Sequence, residues 1–344
     1  MTVRGLVVVW VCCMPAGRAA DPVRFEFESK HMGTTFRIVL YAADKPTAEA
    51  AAKAGFDRVA ELDRVMSDYS PKSELMTLCA ANDTAPGVPR PVSRDLFAVL
   101  QEAQALSKRS DGAFDVTVGP AVKLWRLARR TQRFPDAKEL ADARSKVGYD
   151  KVTLDPAKRT VALTVPGMRL DLGGIAKGYA ADQVLVLLRD KFGIRQALVA
   201  ASGDVACGDP PSGKTGWSVD IAPLAKGRPV RTLSLANAAV STSGDLEQFV
   251  EIGGVRYSHV LDPRTGVGLT GRRSVTVVAP KGVNADSLTK AASVLPPEKA
   301  LALIDATPGA AAYLVVKESD AAEERVTQSA RFPLFLAGGG GKDQ

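Results

Sequence analysis

The sequence predicts an α+β fold in which antiparallel-rich sheets pack with helices, and three observations carry that prediction. Short runs rich in β-branched and aromatic residues follow one another through the second half of the chain, and two of them are joined only by Gly253-Gly254, a strong hairpin signal. Amphipathic stretches with apolar residues at helical spacing lie between groups of strands. No linker rich in Pro, Gly or Ser divides the 344 residues, of which 46% are hydrophobic, so one large core is expected rather than separable domains.

The first twenty residues are a case apart. Arg4 precedes an apolar run over 5–14, and 15–20 ends in small residues before Asp21, which is the layout of a secretory signal and too short to span a bilayer. The expected organisation is a signal peptide over 1–20, one domain over 21–335 and a flexible Gly-rich tail over 336–344. The mature protein is then exported and not transmembrane. Cys12 and Cys13 fall inside the signal after bulky Trp10 and Val11, a poor match to a lipoprotein site. Cys79 and Cys207 remain in the mature chain, where an oxidising compartment would allow them to pair.

In chain order, 23–28 and 34–40 read as strands around Met32-Gly33, and a helix over 48–67 buries Phe56, Val59, Leu62 and Met66. A loop carrying Tyr69 and Pro71 follows. Ser93 caps a helix through Leu96, Leu100, Ala103 and Leu106 that closes at Asp111-Gly112, and an extended segment over 113–120 holds Asp115. The densest basic patch, 123–133, carries Trp125 and Leu127, with Phe134 directly after it, at near-helical spacing and reads as a solvated helix face. With the net charge of +7 scattered along the chain, no basic stripe marks a nucleic-acid partner. Strands are expected at 151–154, 160–165, 197–201, 216–221, 231–235 and 238–242. A hairpin over 249–252 and 255–260 then delivers His259 to a polar loop over 261–266. A strand at 274–279, helices at 285–295 and 297–306 and a strand at 311–317 complete the chain.

The stretch from Met168 to Asp182 organises the site. A short apolar strand runs into Gly173 and Gly174 and then into a helix with Ala180, Val184, Leu187 and Leu188 on one face, ending near Gly193. Free backbone N–H groups and the positive end of the helix dipole favour an anion at such a turn, with Asp171 as an acceptor and Lys177 as a cation beside it. The same residues also make a plain connection with a capped helix. His31 and His259 are the only histidines and no Cys-x-x-Cys occurs, so a multi-histidine zinc site is excluded and any metal is a hard ion such as Mg²⁺ held by oxygens. Asp286, Thr289 and Lys290 lie at i, i+3 and i+4 on one helix face, although Asp286 taken alone reads first as an N-terminal charge favouring the helix dipole. The G-x-G-x-x-G run over 266–271 is followed by a strand rather than a helix, which removes it as a dinucleotide fingerprint. The 173–178 turn lacks the Lys-Ser or Lys-Thr of a P-loop.

Together these pieces resemble the ApbE-type FAD:protein FMN transferases. The resemblance rests on Met32-Gly33-Thr34, Tyr69-Ser70 with Ser73, 112–120, 171–182, Thr242-Ser243-Gly244-Asp245, 258–266 and Ala285-Asp286-Ser287-Leu288, in family order over about 32–315. It implies a T-fold-like ApbE architecture and transfer of FMN from FAD onto a Thr or Ser hydroxyl of a periplasmic or membrane-anchored acceptor protein, with Mg²⁺ and release of AMP. It places Met32, Tyr69, Ala113, Phe114, Asp115, Asp171, Lys177 and Val260 around FAD. The metal lies among Gly174, Asp286, Thr289 and Lys290, and His259 and Asp262 border the reacting phosphates, His259 as general base. The family commonly has Thr where this chain has Lys290, and an ammonium has no lone pair for a metal; either Lys290 turns toward Asp286 or a phosphate and leaves Asp286, Thr289 and main-chain oxygens to hold Mg²⁺ more weakly, which is the expectation, or it replaces the metal's charge altogether. A flavin store that transfers nothing, and an FAD pyrophosphatase that uses water, share the same motifs.

Overall fold

The computed structural model describes residues 21–221, 230–244, 249–318 and 322–338. The expected signal peptide with Cys12 and Cys13, Asp245 and the last residues of the Gly-rich tail lie outside the described residues. The helices are α1 (Lys45–Met66), α2 (Glu74–Thr84), α3 (Arg94–Arg109), α4 (Gly119–Thr131), α5 (Ala137–Ser145), α6 (Ala176–Phe192), α7 (Gly282–Val294) and α8 (Pro297–Asp305). An eight-stranded sheet runs β1 (Val23–His31), β2 (Thr34–Ala42), β6 (Ala197–Ala201), β7 (Asp204–Cys207), β10 (Ala238–Gly244), β14 (Arg272–Ala279), β15 (Ala311–Lys317) and β16 (Arg325–Gln328) in that spatial order. Three smaller sheets join β3 (Arg90–Pro91), β5 (Thr160–Leu163) and β4 (Val152–Asp155); β11 (Phe249–Ile252), β12 (Val255–Asp262) and β13 (Val267–Thr270); and β8 (Trp217–Ile221) with β9 (Arg231–Leu235). All pairings between these strands are antiparallel, as expected for an α+β chain.

Period-2 alternation sorts the central strands between two cores. Phe36, Ile38 and Leu40 of β2 and Ala197, Val199 and Ala201 of β6 face the main core with α1, α6 and α7. Val39, Leu198 and Ala200 face the other way, onto Trp217, Leu233 and Leu235 of the β8–β9 hairpin. A third cluster seats Ala121, Trp125 and Ala128 of α4 on Val250 and Leu261 of the β11–β12 hairpin.

Several expectations need correction. Residues 168–172 form no strand; Arg169 makes one isolated parallel bridge to Val118, and the Asp171 amide donates to the Val116 carbonyl at 2.8 Å. The 113–120 segment is not extended either, because Asp115 Oδ1 accepts from both the amide (2.8 Å) and the hydroxyl (2.7 Å) of Thr117, folding a turn that leads into α4 at Gly119. Helices α2 and α5 were not anticipated. Cys79 and Cys207 are unpaired and buried in different cores, so no disulfide joins them. Near the C-terminus the chain stays paired through Ala337, whose amide donates to the Thr232 carbonyl at 2.8 Å.

Candidate active site

Helices α6 and α7 meet at their N-terminal ends with backbone against backbone. A Cβ on Gly178 would lie 2.1 Å from the Gly282 carbonyl oxygen, and one on Gly282 would lie 2.5 Å from that of Gly178, so neither position admits a side chain. The contact carries the buried Asp286 to the first turn of α6, where the Gly178 amide donates to its Oδ2 at 3.2 Å. An anion at this helix start is what the sequence predicts, and the protein's own carboxylate occupies part of that position.

Four charges converge there. Lys177 Nζ lies 2.7 Å from Asp204 Oδ2 and 3.6 Å from Asp286 Oδ2, while Lys290 Nζ lies 3.3 Å from Asp286 Oδ1 and donates to Thr289 Oγ1 at 3.1 Å. The Ser241 hydroxyl donates to Asp204 Oδ1 at 2.5 Å, and the Thr289 hydroxyl donates to the Asp286 carbonyl at 2.6 Å. Asp286 and Thr289 are fully buried. Burial pushes the Asp286 carboxyl up, but the Lys177 and Lys290 ammonium groups and the Gly178 N–H outweigh it and hold the group below its ordinary value. For Lys177 burial favours the neutral amine, and the two carboxylates reverse this and raise it. Two ammonium groups and two carboxylates leave the cluster without net charge.

Beside it lies a second linked group. Asp171 Oδ1 accepts from the Gly173 amide at 2.8 Å and Oδ2 from Arg126 at 3.2 Å; Arg126 also pairs with Asp68 at 2.6 Å and stacks over the Tyr69 ring at 4.2 Å. The Tyr69 side is open, with the residue 78% exposed, so a flat ring can stack there. Burial, then the neighbouring Asp68 charge, push the Asp171 carboxyl up despite Arg126. Neither Arg126 nor Asp204 is marked by the sequence: Arg126 falls in a run that reads as a solvated helix face, and Asp204 belongs to no motif, while the fold pairs them with Asp68, Asp171 and Lys177.

The remaining candidates frame these groups. Met32 has φ +48, left-handed backbone that a long side chain rarely adopts, in the β1–β2 turn; its amide donates to Asp63 Oδ2 at 3.4 Å. Ala113 and Phe114 are buried, and a Cβ on Gly174 would stand 3.5 Å from the Phe114 ring, which puts the 113–115 loop against the α6 turn. Asp115 is turned into its own loop, and burial pushes its carboxyl up. It also lines an open cleft of about 460 Å³ with Gly112, Tyr149 and Arg264.

His259 lies in β12, as the expected strand over 255–260 has it, but the strand runs on to Asp262, so the residue stands two or more positions before the loop rather than at its edge. The β12–β13 register passes from Tyr257–Thr270 to Leu261–Gly268, four steps on one strand against two on the other, so 258–260 form a bulge centred on His259. The Val260 amide donates to the Ser258 hydroxyl at 3.1 Å, and Val260 packs on the main core. Asp262 is clamped by Arg264 through Nε to Oδ1 at 2.9 Å and Nη2 to Oδ2 at 2.8 Å, which fixes the following turn. Gly174, Lys177, Asp286, Thr289 and Lys290 thus form one cluster with Phe114 against it, Asp171 and Tyr69 are linked through Arg126, and Asp262 is tied to Arg264.

A model of the ApbE family matches residues 32–314. The chain belongs to the ApbE family. Two ApbE-family relatives, both named FAD:protein FMN transferase, come from Klebsiella pneumoniae, 32% identical over 97% of this chain and 96% of the relative, and from Treponema pallidum, 35% identical over 83% and 82%. Among solved structures, the flavinyl transferase ApbE of Pseudomonas stutzeri in its apo form superposes with a TM-score of 0.79 at 30% identity, covering 94% of this chain and 99% of that one. The flavin transferase ApbE of Vibrio cholerae gives 0.80 at 28%, covering 92% and 100%. The mixed helical and antiparallel architecture is that of the ApbE transferases.

Proposed function

We propose that this chain is an FAD:protein FMN transferase that moves FMN from FAD to a Thr or Ser hydroxyl of a partner protein and releases AMP. The observation that carries the reading is the convergence of the α6 start, the 113–115 loop and the 286–290 face at one charged cluster, in a chain whose near-full-length relatives are named for this reaction. Tyr69 offers a stacking face for a flat ring, and Arg126, which stacks on Tyr69 and pairs with Asp171, links the two; Met32 and Val260, each packed on the main core, are assigned to the flavin by the resemblance. The acceptor oxygen attacks the FMN-side phosphorus, the bond from that phosphorus to the bridging oxygen breaks, and AMP leaves with that oxygen. His259, at the β12 bulge, takes the hydroxyl proton; Asp262 acts on the geometry of its turn through Arg264.

The resemblance implies Mg²⁺ among Gly174, Asp286, Thr289 and Lys290, but the side chains do not fit a resident divalent ion. Lys290 has donors only, it stands at Asp286 Oδ1, and the Thr289 hydroxyl donates to its own helix. The position at Asp286 Oδ1 that a divalent ion would need is taken by the Lys290 ammonium, against the expectation of a weakly held Mg²⁺.

Export to the periplasm is part of the proposal, supported by the 1–20 segment, and the acceptor is then an exported or membrane-anchored protein; an N-terminus read as Met1 on a cytoplasmic protein would overturn it. Among the described residues no helix is long and apolar enough to cross a membrane. The transfer itself is tested by mass spectrometry of candidate acceptors incubated with FAD. A flavin-phosphate increment on a Thr or Ser with stoichiometric AMP is expected, and His259→Ala slows it about a hundredfold while FAD still binds. Free FMN plus AMP would assign hydrolysis instead, and unchanged FAD would assign storage.

A further inference from the structure

We propose that the Lys290 ammonium serves this chain as a built-in cation at the reacting phosphates, so that transfer does not depend on Mg²⁺; the inference rests on the transferase reading above. Three observations place the group. Lys177 is shared between Asp204 and Asp286 and neutralises only one of them, which leaves the three-residue cluster one positive charge short. Lys290 supplies that charge from within the chain, with Nζ 3.3 Å from Asp286 Oδ1 and 3.1 Å from Thr289 Oγ1. Its stem is held by packing rather than left to swing: it crosses the bare face of Gly174, where a Cβ would stand 2.9 Å from Lys290 Cγ and 3.7 Å from Cε.

The chemistry follows from the donor count. An ammonium has three N–H donors, and Asp286 and Thr289 take two. The Lys290 side chain is 21% exposed, so the third can reach an oxygen of the pyrophosphate at the α6 start. A divalent ion entering this position would have to break the Lys290–Asp286 pair and sit beside two ammonium groups. As the acceptor oxygen bonds to the FMN-side phosphorus and the bridging oxygen departs with AMP, Lys290 stabilises the developing charge and keeps all its protons. The acceptor's proton goes to His259.

The test compares the full mature chain with Lys290→Thr and Lys290→Met, each checked for native secondary structure, in the presence of FAD. Mn²⁺ is the metal probe, and loss of its free-ion EPR signal reports binding. The wild type is expected to take up no more Mn²⁺ than FAD alone does, and Lys290→Thr about one ion per chain. Wild-type transfer should change less than about twofold between excess EDTA and Mg²⁺, while Lys290→Thr falls at least about a hundredfold in EDTA and recovers with Mg²⁺. Lys290→Met, with the stem but no charge, should be slow in EDTA. Wild-type transfer that collapses in EDTA and returns with Mg²⁺, stoichiometric Mn²⁺ on the wild type, or full activity of Lys290→Met in EDTA would each overturn the proposal. If no acceptor is modified by any variant, the transferase reading fails, and the Mn²⁺ titration still decides whether Lys290 holds the cation position.

Discussion

Asp182, in the second turn of α6, caps a helix other than its own. Helix α7 has no side-chain cap from Lys281, the residue before it, and its Gly282 and Val283 amides donate instead to Asp182 at 2.7 and 3.0 Å. Burial outweighs these two donors and pushes the Asp182 carboxyl from 3.8 up to about 6. The folded state therefore holds this proton more tightly than the unfolded state does. The stability that protonation contributes is fully present below about pH 4 and is lost as pH rises through about 6. Asp182→Asn does not titrate, so the stability difference between wild type and variant should shift by about 2 kcal/mol against the wild type between about pH 4.5 and 6.5. Urea unfolding of both proteins across that range reads the shift, and parallel curves would place the Asp182 proton elsewhere.

At the scale of elements, the site depends on how closely α6 and α7 cross. Gly178→Ala would put a methyl carbon 2.1 Å from the Gly282 carbonyl oxygen and 2.9 Å from Asp286 Cβ, and a carbonyl cannot rotate away as a side-chain tip can. The helices must then separate, at a cost of about 3 kcal/mol or more, which lowers the thermal midpoint on the order of 6 °C. Asp286 moves with α7, so transfer should be lost well below the unfolding temperature; a variant with wild-type midpoint and rate would show that the crossing is not that close.

Elements differ in how far their sequence alone specifies them. Strands at Ala197–Ala201, Arg231–Leu235 and Ala311–Lys317 were legible to the residue, because each alternates or runs apolar between clear breaks. Helix α5 buries only Ala143, and its pattern offers nothing to read. Residues 168–172 are apolar because they cross the main core, with Met168, Leu170 and Leu172 buried, and not because they pair in a sheet. The motif residues around Gly174 and Asp286 were legible as a set. Asp204 and Arg126 were not, since their partners Lys177, Asp68 and Asp171 lie far away in sequence and only the fold supplies the pairing.

For the whole molecule, the candidate FAD contacts run from Met32 in the first hairpin to Val260 in β12, and the main core beneath them draws on residues from Phe36 to Leu314. A ligand that bridges them restrains distant segments of one core, and it stabilises the fold by binding the native state alone, about 2.7 kcal/mol at a hundred times its Kd. FAD offers two halves to this surface: a flavin ring for Tyr69 and an adenylate for the groups around the α6 start. FMN offers one half and a terminal phosphate, which gives it fewer anchors beside a cluster that carries no net charge of its own. At equal concentration FAD should therefore raise the unfolding midpoint more than FMN, with a gap matching an affinity difference of about tenfold or about 1.4 kcal/mol. Calorimetric scans with each flavin, under conditions where no acceptor is present to consume FAD, measure the gap directly. Equal shifts would remove the AMP half from the site and with it the assignment of the α6 start as the pyrophosphate cradle.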